Sequence, residues 1–142
     1  MVDILDAARY LIFLSYGNKK YSLTPLKLQK LLYLVQGWSY VWDDKPAFND
    51  DFCAWQYGPV NEKVYETYKK YGRFEIPEAE GSNRIGDKDV AETIESVWSE
   101  YGKYTAYDLV ELTHSQSPWK NAYSKGKRIT NNSIKAYFQS TF

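Results

Sequence analysis

Apolar residues recur with helical spacing along most of the chain, and the clearest stretch predicts a helix over residues 25–42. The apolar residues that share one face of this helix are Leu28, Leu31, Leu32, Val35, Trp38 and Trp42. Thr24 precedes it as a hydroxyl cap, and Pro25 suits the first helical position because that position needs no N–H. Lys27 and Lys30 fall off the apolar face, so we expect them on a polar side of the helix.

The same periodicity predicts further helices on both sides of this one. They are expected over residues 3–16, from Pro59 to residue 71, over 87–101, over 105–114, for one or two turns capped by Ser117 with Pro118 following, and over a last segment capped by Thr130 or Asn132. Gly17 with Asn18 is expected to end the first helix, and Gly72 to end the third. The segment 52–55 is too short for a helix and suits an extended conformation, as do residues 74–76 or 84–85.

Together these elements predict a mainly α fold. We expect a single compact helical domain over residues 1–142, with about six or seven helices and one or two very short β segments near 52–55 and 74–85. A chain of this length buries enough surface to fold without a metal or a disulfide. Gly37 lies inside the second helix, where glycine costs roughly 1 kcal/mol relative to alanine. We therefore expect it to let another element approach the backbone closely.

The charges are unevenly distributed, although the net charge is zero, which argues against a general nucleic-acid binder. Residues 73–111 hold ten acids and four bases, whereas residues 112–142 hold five bases and no acid. Either the acidic middle and the basic end pair within the fold, or the basic end steers an acidic partner. Aromatic residues make up 18% of the chain, including fourteen tyrosines, which is expected if some rings face a partner.

Residues capable of catalysis or metal binding are sparse. His114 is the only histidine and Cys53 the only cysteine, so the chain lacks a zinc-ligand set, and the two lie too far apart in sequence to predict a nucleophile pair. Glycine-rich phosphate loops are also missing. We therefore expect no enzyme activity, cofactor or metal, and we expect His114 to hydrogen-bond the backbone beside Trp119. One cysteine, with no signal peptide and no apolar stretch of membrane length, favours a cytoplasmic protein without a membrane partner.

Four short blocks of sequence resemble the Panacea domain, also called the SocA-like or GepA-like domain. The blocks are LKLQKLLY at 26–33, QGW at 36–38, AWQYGPV at 54–60, and ELTH at 111–114 followed by SPW at 117–119. They stand in the family's order, and the resemblance extends from about Ala8 to Phe138. One block alone is weak evidence, but four in order form a specific signature.

This resemblance implies an antitoxin, a protein module that neutralises a toxin encoded beside it. The implied partner is a cognate toxin protein, bound by direct complex formation. The alternative implied by the family is a proteolytic adaptor or a phage regulatory protein, whose partner is a protease or another host protein. Larger relatives carry a separate DNA-binding segment, for which this chain has no spare length, so we do not expect it to bind nucleic acid by itself.

The best candidate for a partner-binding site is the loop around residues 55–60. Alternation along an extended segment would turn Gln56 and Tyr57 away from Trp55 and toward solvent. The candidate partner-binding residues are Lys27, Lys30, Trp55, Gln56, Tyr57 and Gly58. Roles other than partner binding remain open for three of them. Trp55 could pack against the second helix as a structural residue, and Lys27 and Lys30 could form ordinary solvated surface. The residues expected to be structural are Thr24, Pro25, Leu28, Leu31, Leu32, Gly37, Trp38, Pro59, Val60, Pro118 and Trp119.

Overall fold

Helices dominate the fold. The computed structural model describes residues 1–17 and 21–142, and in these residues seven α-helices enclose one apolar core beside a small sheet. The helices are α1 (Ile4–Ser15), α2 (Pro25–Asp43), α3 (Glu62–Tyr68), α4 (Lys88–Tyr101), α5 (Ala106–His114), α6 (Ser117–Ser124) and α7 (Asn131–Thr141). The strands are β1 (Phe52–Trp55), β2 (Gly58–Val60) and β3 (Arg128–Ile129). The expected mainly α fold is confirmed. Within the described ranges, each helix is too short or too polar to cross a lipid bilayer.

Helix α2 lies at the centre of the molecule and packs against α1, α4, α5 and α7. The Thr24 hydroxyl accepts a hydrogen bond from the Lys27 N–H, and Pro25 occupies the first turn, so both expectations for the helix start are confirmed. The fully buried apolar residues of α2 include Leu28, Leu31, Leu32, Tyr33 and Val35. Because neighbours surround this helix, it offers little surface to solvent.

Two expectations for α2 are wrong. Lys27 and Lys30 do not form a solvent-facing side, since both side chains are buried beneath the elements that cover α2. Trp42 does not join the buried face, because it lies at the end of the helix with its side chain 50% exposed. Trp38 is half-buried and stacks on Trp42, with 4.9 Å between the ring centroids.

Gly37 is the point where α7 crosses α2. A Cβ atom on Gly37 would lie 2.4 Å from the ring of Phe138, well inside van der Waals contact. Phe138 and Ile134 project from α7 into the core and are fully buried. The hydroxyl of Thr130 caps α7, as expected. The close approach predicted at Gly37 is therefore confirmed.

The three strands form one small antiparallel sheet in the order β2-β1-β3. Strands β1 and β2 make a β-hairpin whose turn residues are Gln56 and Tyr57, with Trp55 opposite Gly58. We refer to residues 52–60 as the hairpin. The extended segment expected at 52–55 is confirmed.

Two expectations near the sheet are wrong. The β segment expected within residues 74–85 is absent from the described structure, where this stretch contains only the 3-10 turn Glu78–Glu80 and irregular backbone. The backbone groups of this stretch bind elsewhere, since the Ile76 N–H donates to the Leu23 carbonyl at 2.9 Å and the Ser82 N–H to the Arg9 carbonyl at 3.1 Å. Pro59 does not open a helix either. It lies in β2, and α3 begins after Asn61, whose side chain caps it by accepting from the Val64 N–H.

The other helix ends mostly follow the expected capping pattern. Thr105 takes part in a reciprocal capping box at the start of α5, as the sequence indicates. Ser117 lies inside α6 and does not cap it, because the residue before the helix is Gln116, which makes no side-chain cap bond. Gly17 comes after Tyr16, the C-cap of α1, and its N–H binds the Leu14 carbonyl at 3.0 Å, while Asn18 lies outside the described residues.

Among residues 1–17 and 21–142, ion pairs do not join the acidic middle of the chain to its basic end. The pairs made by the basic end are Arg128–Glu62 at 3.4 Å and Lys135–Asp44 at 3.8 Å. Ion pairs between described residues that involve acids of residues 73–111 include Asp87 with the terminal amine, Asp89 with Lys45, and Glu80 with Lys70. In the described residues, pairing between these two segments is therefore not what balances their charges.

Candidate functional site

The tip of the hairpin presents exposed side chains that no regular core packing requires. Tyr57 is 54% exposed and Trp55 is 39% exposed, and Gln56 between them is exposed as well. The exposure expected for Gln56 and Tyr57 is confirmed. Trp55 is not a buried filler against α2, because its ring meets Tyr65 of α3 edge-on, with centroids 5.0 Å apart.

Buried polar side chains of α2 hydrogen-bond the backbone at the end of the hairpin. The Lys30 ammonium donates a hydrogen bond to the Pro59 carbonyl at 3.1 Å. The Gln29 amide makes a two-way bond with the backbone of Asn61, donating to its carbonyl at 3.0 Å and accepting from its N–H at 2.9 Å. Gly58 has a φ of +109°. It lies so close to the Lys30 side chain that a Cβ atom on Gly58 would be 2.6 Å from Lys30 Cε. The end of the hairpin is thus anchored to the central helix.

Lys30 is an unusual anchor because it is a buried cation. In the described residues no carboxylate lies within ion-pair distance of its ammonium group. Burial alone lowers the pKa of Lys30 to about 7, since the charged form loses its hydration. Its burial also removes it from the surface, so it does not contribute a direct partner contact in this conformation.

Lys27, which lies about one helical turn before Lys30, is also a buried anchor. Its ammonium donates to the carbonyls of Ser22 at 3.0 Å and Gly102 at 2.5 Å, and it lies 5.4 Å from the centre of the Trp98 ring. Burial lowers the pKa of Lys27 to about 8. These bonds join the start of α2 to the end of α4. Lys27 therefore holds the fold together and does not face the candidate surface.

Helices α5 and α6 hold the turn of the hairpin from the other side. His114 Nε2 lies 2.9 Å from the Gln56 carbonyl and donates to it, because a carbonyl oxygen only accepts. Trp119 Nε1 donates to the Trp55 carbonyl at 2.8 Å. The His114 and Trp119 rings stack with centroids 3.9 Å apart. The structural role expected for His114 is confirmed.

Cys53 and His114 bind different partners, Glu62 and the Gln56 carbonyl. The Cys53 thiol donates to the Glu62 carboxylate at 3.3 Å, and burial, the main cause, together with this contact raises the thiol pKa. A raised pKa disfavours the thiolate that a nucleophilic cysteine requires. The arrangement therefore does not supply the chemistry of a Cys–His pair. Among the described residues, no group of three or more acidic, cysteine or histidine side chains could hold a metal ion.

A groove of about 660 Å³ runs beside the hairpin tip. Its walls come from the start of α2, the hairpin, α3 and one residue of α6. The residues that give it an apolar and aromatic lining include Pro25, Leu26, Ala54, Trp55, Tyr57, Val60, Val64, Tyr65 and Tyr123. We refer to the hairpin tip and this groove together as the tip surface.

Sequence reasoning missed most of the anchors of the tip surface. Gln29 binds the backbone of Asn61, the residue after the hairpin, Asn61 Nδ2 donates to the carbonyl of Asp51, the residue before it, and Trp119 Nε1 donates to the Trp55 carbonyl; only Trp119 carries an expected structural role. A signal for Gln29 exists, since it is a polar residue set inside an apolar helical run. The partner groups are backbone atoms distant in sequence, which no local pattern identifies.

Comparison with known proteins places this architecture in a family. The family model described as "Antitoxin SocA-like, Panacea domain" matches residues 28–120. The chain belongs to this family. The matched residues include α2 from Leu28 onward, the hairpin, and the anchors Gln29, Lys30, His114 and Trp119.

A curated relative supports this assignment. Antitoxin SocA of Caulobacter vibrioides (strain NA1000 / CB15N) is 33% identical over 109 residues, covering 68% of this chain and 58% of that protein. The chain therefore spans less than two thirds of that relative's length. A search of solved structures gave no match.

Proposed function

We propose that this protein is an antitoxin that neutralises a cognate toxin by binding it directly through the tip surface. Family membership supports the antitoxin role. The observation that carries the binding mode is the exposure of Trp55 and Tyr57 on a hairpin fixed by buried hydrogen bonds. Neutralisation would then be occlusion, in which the toxin's active surface is covered.

The hairpin backbone of the tip surface is held in place by hydrogen bonds, which favours binding of a partner. Exposed tryptophan and tyrosine are the residues that most often dominate the binding energy of protein interfaces. Here their backbone carbonyls and neighbours are held by Trp119, His114 and Lys30, so little backbone freedom remains to be lost on binding. An interface of the standard size, roughly 1,600 Å² in total, would extend over the groove as well as the tip.

The test is binding and neutralisation by a variant that lacks the two exposed rings, Trp55→Ala with Tyr57→Ala. The toxin candidate is the product of the neighbouring open reading frame, produced alone and together with this protein. We expect the double variant to lose at least about 30-fold in affinity in calorimetry, since truncating a hot-spot ring costs roughly 2 kcal/mol. It should also fail to rescue growth when the toxin is induced.

The matched control is Phe74→Ala, which removes an exposed ring, 76% accessible, that does not line the tip surface. It should change affinity by no more than about threefold, as expected for a residue outside the interface. A neighbouring product that is harmless alone, or that this protein does not retain, contradicts the antitoxin role. Loss of toxin abundance without loss of activity in the purified complex would show delivery to a protease in place of occlusion.

A further inference from the structure

A basic surface, most of whose charges are unpaired in the described residues, follows the tip surface along the chain. It consists of four exposed basic residues in α6 and in the segment that follows, namely Lys120, Lys125, Lys127 and Arg128. Arg128 pairs with Glu62 at 3.4 Å. In the described residues, the other three have no carboxylate within ion-pair distance. Their charge is therefore available to a partner.

The basic surface begins at the edge of the groove. Lys120 and Tyr123 are three residues apart on α6, so their side chains are neighbours on one side of the helix. Tyr123 lines the groove. Lys125 and Lys127 line a separate shallow depression of about 200 Å³, whose other walls include Pro118 and Asn121 of α6. Lys125 and Lys127 follow Tyr123 by two and four residues, so a ligand that fills the groove and continues past Tyr123 would come near this basic segment.

The opposite wall of the groove does not have this excess of charge. Lys69 lines the groove on that side, but its ammonium lies 2.6 Å from the Glu66 carboxylate. The charge of Lys69 on this wall is thus paired, whereas Lys120 beside Tyr123 has no carboxylate within ion-pair distance in the described residues. A partner that matches this arrangement must be apolar where it enters the groove and acidic where it passes α6.

We propose that the toxin binds through an acidic amphipathic segment, whose apolar side chains enter the groove while its carboxylates lie against Lys120, Lys125 and Lys127. This inference rests on the proposed function and specifies the chemistry of the partner at the same surface. The basic charge contributes mainly to the rate and the specificity of association, because long-range attraction steers oppositely charged surfaces together.

A protein segment fits these observations better than a single-stranded nucleic acid. Bases bind by stacking on free aromatic faces along a basic track. Here the Trp119 ring already stacks with both His114 and Tyr123, at 3.9 and 4.6 Å between centroids. The Trp55 ring meets Tyr65 edge-on and forms a wall of the groove. The apolar groove itself suits aliphatic or aromatic side chains.

The test compares two triple charge reversals with the same change in net charge. The test variant is Lys120→Glu, Lys125→Glu and Lys127→Glu. The control variant reverses three exposed basic residues that line neither the groove nor the depression beside it, Arg84→Glu, Lys88→Glu and Lys103→Glu. We expect the test variant to lose roughly 30-fold or more in toxin affinity at about 50 mM salt, and most of that loss to disappear at about 500 mM salt because of screening. The control should change affinity by no more than about threefold.

Three results separate this inference from the proposed function. If the charge reversals on α6 bind toxin as well as the control does, while Trp55→Ala with Tyr57→Ala does not, the acidic segment is refuted and the antitoxin role stands. If wild-type protein binds poly(U) and the α6 variant loses that binding with toxin affinity unchanged, the basic surface is a nucleic-acid site and this inference is overturned. Rescue of the α6 variant by an acid-to-lysine substitution in the toxin would support it directly.

Discussion

Lys30 makes the stability of this protein depend on pH in a predictable way. Its ammonium is fully buried, bonded to the Pro59 carbonyl, and burial lowers its pKa from 10.5 to about 7. The perturbation is Lys30→Met, which keeps a flexible side chain of similar length and removes the titrating group. In the unfolded chain Lys30 returns to its ordinary pKa, so folding and proton binding are linked.

The difference in the pKa of Lys30 between the folded and unfolded states sets the sign and size of the pH dependence of stability. Above pH 7 the folded state has lost the Lys30 proton while the unfolded state keeps it up to about pH 10.5, so the unfolded state binds more protons. The free energy of unfolding therefore rises with pH, by about 1.4 kcal/mol per pH unit. Between about pH 7.5 and 9 the Lys30 contribution is about 2 kcal/mol. Lys27, whose pKa is about 8, adds a similar rise above pH 8, but it is present in both proteins and cancels in their difference.

The assay is urea unfolding of wild type and Lys30→Met at several pH values from about 7.5 to 9, followed by tryptophan fluorescence. Lys30→Met leaves the Pro59 carbonyl unpaired. This loss lowers the free energy of unfolding of the variant by about 1–3 kcal/mol at every pH. The difference in free energy of unfolding between wild type and Lys30→Met should change by about 2 kcal/mol from about pH 7.5 to 9. Lys88→Met, which removes an exposed lysine, is the control and should run parallel to wild type. Parallel curves for wild type and Lys30→Met would refute a buried lysine that deprotonates near pH 7.

Two further substitutions test packing and anchoring. Gly37→Ala should lower the free energy of unfolding by about 1–3 kcal/mol, because its Cβ would lie 2.4 Å from the Phe138 ring, and adding Phe138→Leu should recover some of the loss in thermal or urea unfolding. A Gly37→Ala protein as stable as wild type would contradict the close crossing of α2 and α7. Trp119→Phe should cost about 0.5–1.5 kcal/mol in the same assay, since it keeps a stacked ring but removes the donor to the Trp55 carbonyl. An unchanged unfolding free energy would mean that this bond does not anchor the hairpin.

Local chemistry accounts for the regions of the fold that the sequence predicts well. The hydroxyl of Thr24 and the pyrrolidine ring of Pro25 act within one helical turn, and so does the capping box at Thr105. Gly37 is predictable for a related reason, because an interior glycine carries a cost that only a close contact offsets. Each of these signals depends on neighbours in sequence, or on the absence of a side chain.

The failures come from contacts that are distant in sequence. Apolar spacing predicts that Lys27 and Lys30 face solvent, but spacing carries no information about how many elements surround the helix. A helix packed on all sides buries its polar face too, and then each polar group needs a partner. The proline at 59 fits a helix start by local rules, yet pairing of β2 with β1 decides its conformation. The long-range partners of both lysines are backbone carbonyls of other elements.

These buried anchors bear on what the family signature means. Gln29, Lys30, Gln36 and His114 belong to its sequence blocks, and all of them hydrogen-bond backbone groups inside the protein. A substitution at any of them would disturb the position of a loop before it altered a surface. The signature therefore specifies the scaffold that presents the hairpin. On the proposed function, choice of partner rests instead with exposed side chains outside these blocks, such as Lys120, Lys125 and Lys127, because those can change without loss of the fold.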